Sequence, residues 1–123
     1  MEFEPLSRLL IGAAIDVHRE LGPGLLESAY QRCLEYELRR LGLRVETQVP
    51  ISLAFRALEI RAAYRADLIV ENSIIVEVKC VAKLEPIHRA QVVTYLRLTG
   101  PQLGLILNFN VPALRDGIAR VVR

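Results

Sequence analysis

Several things are missing from this chain, and each absence narrows what it is. No apolar run approaches 18 residues, so nothing in the sequence reads as a membrane-spanning helix. The opening MEFEPLSRLL lacks the basic start and long apolar core of a signal peptide. Cysteine is scarce. Cys33 and Cys80 lie far apart, each in an apolar periodic stretch, and read as buried free thiols. That reading places the protein in a reducing compartment, as a cytoplasmic protein. No repeat, linker or low-complexity segment interrupts the sequence. No charge of one sign dominates either. Sixteen Lys and Arg against 14 Asp and Glu give a formal charge of +2, which neither demands nor excludes a nucleic-acid partner.

What is present is a chain of 123 residues, 52% apolar. That length suits a single domain spanning 1–123, able to bury roughly two-thirds of its extended-chain surface. The apolar fraction is high enough to leave surface for a homodimer contact.

Two helical patterns come first. Leu6, Leu9, Leu10, Ala13, Ala14, Val17 and Leu21 follow helical spacing, with Pro5 in the first turn, and Gly22-Pro23-Gly24 ends the run. A second helix is expected from about Leu25 to Leu41, with Leu26, Tyr30, Cys33, Leu34, Leu38 and Leu41 on its apolar side and Gly42 at its end. A strand from Arg44 to Phe55 follows, with Val45, Val49, Ile51 and Leu53 on one side. Pro50 marks it as an edge or a bulge. A second strand runs from about Leu58 to Val70 and a third through Ile74–Lys79. Pro86 opens a third helix, to about Leu98, and Leu103–Phe109 reads as a strand covered on both faces. A last strand is expected near Ile118–Val122. Helix, helix, three strands, helix, strand is an α/β sandwich of one mixed sheet with helices packed on it.

The stretch from Tyr64 to Val81 concentrates the chemistry. Two Ile/Val-rich runs flank Glu71-Asn72-Ser73; the first carries Asp67, the second Glu77 and Lys79. Residues two apart on a strand share a face, so Glu77 and Lys79 stand side by side in an apolar strand, where burial of charge is costly. If the turn is a three-residue loop, Val70 pairs with Ile74 and Asp67 lies opposite Glu77. A two-residue turn at Asn72-Ser73 slips the register by one and sends Asp67 to the other face.

Other residues join this set. Gly24, Glu27 and Tyr30 form a literal GxxExxY, preceded by Val17-His18-Arg19-Glu20-Leu21-Gly22; Asp67 followed by Glu77-Val78-Lys79 has the form D…ExK; Gln91 and Tyr95 form QxxxY. In this order the motifs resemble the small prokaryotic GxxExxY family of the PD-(D/E)XK nuclease superfamily, from about Leu9 to Val122. The resemblance implies a restriction-endonuclease-like three-layer core, a mixed β-sheet flanked by helices in αβββαβ order with an extra N-terminal helix. It also implies a metal-dependent nuclease site. The turn Phe55-Arg56-Ala57 departs from the pattern by lacking a glycine.

On that footing Asp67, Glu77 and the Val78 carbonyl form a hard-oxygen site suited to Mg²⁺ (or Mn²⁺), and Lys79 stabilises charge building on a phosphate. The same carboxylates also read as a cross-strand pair neutralised by Lys79. Glu27 reads either as a helix first-turn acid or, by resemblance, as a catalytic residue reaching the metal. Tyr30 reads as packing, with its hydroxyl holding a carboxylate. His88, Gln91 and Tyr95 occupy one stripe of the third helix and are candidate substrate-binding residues, with Lys83, Arg89 and Arg97 for phosphate contacts. His18 reads as a cation at a helix C-terminus. The expected function is phosphodiester hydrolysis of DNA or RNA. The alternative is a non-catalytic nucleic-acid-binding or regulatory module that keeps the nuclease fold.

Overall fold

The structure, a computed structural model, describes residues 3–123. Met1 and Glu2, the start of the segment read against a signal peptide, lie outside the described residues. Helix α1 spans Phe3–Leu21 and α2 Glu27–Arg40. Strands β1 (Val45–Phe55), β2 (Leu58–Val70) and β3 (Ile74–Lys79) precede α3 (Pro86–Leu98) and β4 (Leu103–Asn108). A 3₁₀ turn at Leu114–Gly117 leads into β5 (Ile118–Val122). The five strands form one sheet in the order β1-β2-β3-β4-β5. All neighbours are antiparallel except β3 and β4, which α3 joins as a parallel crossover. Among the described residues no helix is long and apolar enough to cross a membrane.

Alternation along the central strands builds two cores. Ile74, Val76 and Val78 of β3, with Leu103, Leu105 and Leu107 of β4, pack under α1 and α2 against Leu10, Ala14, Leu34 and Leu38. Ile75 and Ile106, one residue out of step, pack under α3 against Val92, Tyr95 and Leu96. The result is three layers, with α1 and α2 on one face of the sheet and α3 on the other. Every residue of β4 is buried, as expected of a strand covered on both sides. Burying each such Leu or Ile contributes about 1.5–3 kcal/mol. Gly104 is where α3 comes closest: a Cβ there would run into the Val92 side chain.

Five expectations need correction. Helix α2 starts at Glu27, not Leu25, and its buried residues are Tyr30, Leu34 and Leu38. Leu26, just outside it, is 77% exposed, and Leu41 is exposed too. Cys33 is exposed and Cys80 half-buried; both are free, but neither is a core thiol. Val45 does not share a side with Val49 and Ile51: it packs under α1 and α2, they under α3. The strand turns over between them, at Gln48, whose φ of +48° lies in the left-handed region. Its neighbour β2 turns over at the same level, since Leu68 packs in the first core and Ala66 in the second. Finally, the tight turn closing β1 and β2 does without glycine because Arg56 takes the left-handed conformation itself, with φ +54°.

Beyond this level β1 and β2 continue as a two-stranded ribbon. Leu53 pairs with Ile60 and Phe55 with Leu58, which places all four on one face. Phe55, Leu58 and Ile60 are 59%, 56% and 41% exposed.

Candidate functional site

The β2–β3 ladder pairs Val70 with Ile74, Ile69 with Ile75 and Leu68 with Val76. The turn is therefore the three-residue loop Glu71-Asn72-Ser73, with Glu71 and Asn72 both at positive φ. The next pair in this register is Asp67 and Glu77. There the ladder is replaced by side chains. Glu77 Oε2 accepts from the Asp67 N–H at 2.8 Å, and Asp67 Oδ2 accepts from the Val78 N–H at 2.8 Å. Each carboxylate thus spends one oxygen on the partner strand's backbone and keeps the other. Among the described residues Glu77 Oε1 has no hydrogen bond, and Asp67 Oδ1 has only a long one, from Gln48 at 3.5 Å.

Burial shapes the electrostatics. Glu77 is 3% exposed. Desolvation, and then the Asp67 charge, push its carboxyl up to about 7. Asp67 is also raised, first by burial, with the Val78 N–H and then Lys79 pulling the other way. Lys79 follows Glu77 by two on β3 and shares its face. Among the described residues its ammonium makes no hydrogen bond or ion pair, so it is free to meet an anion.

Glu27 stands at the first turn of α2 and is exposed. Its Oε2 accepts from the Cys80 N–H at 3.0 Å, one residue past the end of β3. It is close enough for its charge to raise both Asp67 and Glu77 as a minor contribution. Tyr30 does not hold a carboxylate. Its hydroxyl accepts from the Leu25 N–H and donates to the Gly22 carbonyl, while its ring stacks on Phe109 at 4.4 Å. Gly24, at φ +100°, supplies the turn that a side chain would strain. GxxExxY is therefore a device that seats the start of α2 against the end of β3. His18 is buried, and its Nε2 bonds the Val111 carbonyl at 2.8 Å, tying α1 to the loop after β4.

The α3 residues divide. Tyr95 is 3% exposed and tilts against Tyr64, so its ring offers no face to a base. Burial, then the charges of Glu77 and Asp67, push its hydroxyl up to about 12. Gln91, one turn earlier, is half-buried. His88 sits at the helix start, where its Nδ1 accepts from the Glu85 N–H at 2.8 Å. That bond leaves Nε2 to carry the ring hydrogen. Lys83, Arg89 and Arg97 are exposed, and Arg89 also reaches the Arg120 carbonyl.

Three residues were not singled out from the sequence. Gln48 donates to Gln31 Oε1 at 3.0 Å, and Gln31 to the Asp67 carbonyl at 3.4 Å. Asn108, 2% exposed, accepts from the Val81 N–H and donates to the Val81 carbonyl, pinning the chain after β3. Asn108 left a signal, as the polar residue within the apolar run LGLILNF. Gln31 and Gln48 left none.

The donor chemistry fits a hard divalent cation. Two carboxylates, each with one uncommitted oxygen, repel unless a cation lies between them. Among the described residues no three His, Cys, Asp or Glu side chains converge on one point. An ion held by Asp67 and Glu77 would complete its shell with water and a backbone carbonyl such as that of Val78, which is how Mg²⁺ prefers to be held. Two hollows, between α1 and α2 and beside His18 and Pro112, take in none of Asp67, Glu77 or Lys79.

Comparison with protein families matches residues 4–121 to the PD-(D/E)XK nuclease superfamily. No curated protein and no solved structure matches the chain.

Proposed function

Since the chain belongs to the PD-(D/E)XK nuclease superfamily, whose nucleases use divalent metal ions, we propose that it is a metal-dependent phosphodiesterase acting on DNA or RNA. The observation that carries this is the meeting of Asp67 and Glu77 at the splayed end of β2 and β3, each with one oxygen uncommitted and Lys79 beside them. The GxxExxY spacing of Gly24, Glu27 and Tyr30 supports placing the chain in that branch of the superfamily.

In this reading Asp67, Glu77 and the Val78 carbonyl hold Mg²⁺ or Mn²⁺. The chemistry such an ion would supply there is activation of water and offsetting of charge on the phosphate. Lys79 donates to the phosphate oxygens as negative charge builds on them. Glu27 fixes the end of β3, and so the position of Lys79, through the Cys80 N–H. Gln91 and His88, on the half-buried side of α3, are the substrate contacts, and Tyr95 acts only through its hydroxyl.

One observation favours the second reading, a non-catalytic interaction module. The ribbon face of Leu53, Phe55, Leu58 and Ile60 is apolar, with Phe55, Leu58 and Ile60 exposed and Leu53 half-buried. It is also where a homodimer contact would form.

The test is incubation with labelled DNA and RNA, single- and double-stranded, with and without Mg²⁺ or Mn²⁺. Metal-dependent cutting supports the enzyme. A folded protein that binds the ion and nucleic acid but cuts no substrate supports the module.

A further inference from the structure

Among the described residues, five other than glycine have positive φ. Arg56, Glu71 and Asn72 close the two hairpins. Ala62 lies where the β1–β2 register shifts between Ile51 and Leu53. Gln48 is different: it sits inside the ladder, between the pairs Thr47–Leu68 and Val49–Ala66, and so opposite Asp67. A left-handed glutamine is costly and persists only where its surroundings impose it. Glycine would take this conformation freely. The side chain gives the reason to keep glutamine. Its amide nitrogen carries two hydrogens. One goes to Gln31 Oε1 at 3.0 Å and the other toward Asp67 Oδ1 at 3.5 Å. Gln31 in turn donates to the Asp67 carbonyl at 3.4 Å. Gln31 lies one helical turn after Glu27 on α2, so the two amides tie that helix to the strand carrying Asp67.

We infer that Gln48, braced by Gln31, is a positioning residue: it aims Asp67 Oδ1, the oxygen the Val78 N–H leaves uncommitted, at a divalent cation. This rests on the metal site proposed above. Asp67 Oδ2 is already fixed by the Val78 N–H. Without the amide, Oδ1 is held only by rotation about that bond. Partners of metal ligands that act in this way typically cost 10–100-fold in metal affinity when removed.

The inference separates stability from affinity. Gln48→Gly relieves the backbone while deleting the amide. The expected result, by calorimetric titration with Mn²⁺, is affinity weakened about 10–100-fold, with a Tm equal to or above that of wild type. Gln31→Leu, which changes no strained residue, is expected to weaken Mn²⁺ affinity to a smaller extent at unchanged Tm. Wild-type affinity in Gln48→Gly overturns the inference and leaves the metal site standing. If Gln48→Gly instead melts lower, Gln31→Leu decides, and wild-type affinity in that variant overturns it. No Mn²⁺ binding by the wild-type protein overturns both this inference and the proposed function.

Discussion

Asp67 and Glu77 are cross-linked through each other's strands: Glu77 Oε2 accepts from the Asp67 N–H and Asp67 Oδ2 from the Val78 N–H, both at 2.8 Å. The two carboxylates stand in for ladder hydrogen bonds at the point where β2 and β3 separate. They therefore have a structural task as well as the chemical one proposed for them, and substitutions can tell the two apart.

The first concerns pH. Burial, then the Asp67 charge, raise Glu77 to about 7 in the fold, against about 4.3 in an unfolded chain. Between those values the folded state holds a proton the unfolded state has released. The stability contributed by this group is complete below about pH 4 and is lost as pH rises toward 7. Asp67, also raised, acts in the same direction. Without metal, Glu77→Gln should match wild type near pH 4 and exceed it by up to about 3 kcal/mol at pH 8. Urea unfolding at both pH values checks this. Equal stability of the two proteins at pH 8 would contradict it.

Metal should reverse that penalty. A cation between Asp67 and Glu77 binds only the folded state, so Mn²⁺ at 100 times its Kd should add about 2.7 kcal/mol of stability. Excess chelator should remove the gain. Differential scanning calorimetry of wild type and Asp67→Asn reads it directly, with the Tm rise confined to wild type.

Glu27 separates anchor from ligand. Its carboxylate holds the Cys80 N–H, which a glutamine oxygen can also do. Glu27→Gln should keep most of the activity, whereas Glu27→Ala should lose about tenfold, the equivalent of one hydrogen bond of about 1.4 kcal/mol. Steady-state cleavage rates check it. Equal large losses in both variants would make the charge itself essential.

Tyr30 is the structural end of the same motif. Tyr30→Phe keeps the stacking on Phe109 but deletes the bonds to Leu25 and Gly22. The expected cost is about 1–2 kcal/mol, measured by denaturant unfolding, with the metal affinity of the folded protein unchanged.

Much of this architecture was legible in the sequence because hydrophobic periodicity is a local signal. It placed α3 at Pro86–Leu98, β2 at Leu58–Val70 and β5 at Ile118–Val122, all as observed. The sequence left the register of Asp67 and Glu77 open between two turns, and the left-handed pair Glu71 and Asn72 resolves it. What could not be read was set by partners distant in sequence. Gln48 turns β1 over, so residues of equal parity on either side of it face different cores. His18 finds Val111, 93 residues away. Tyr95 fits a stripe of α3 that periodicity could not separate from a solvent-facing one, yet it is buried against Tyr64. Cys33 shows the limit of spacing: its place in the helical pattern was right for the core, but it lines an exposed hollow between α1 and α2.

The most direct measurement is cleavage of single- and double-stranded DNA and RNA by wild type and Lys79→Ala, with Mg²⁺, with Mn²⁺ and with chelator. Lys79→Ala removes the ammonium without touching Asp67 or Glu77, so its fold and metal binding should survive. Wild type should cut only with metal and not with chelator, and the variant should lose at least about 100-fold, the scale of a transition-state charge donor. Cutting that persists with chelator, or at the wild-type rate in Lys79→Ala, would contradict it.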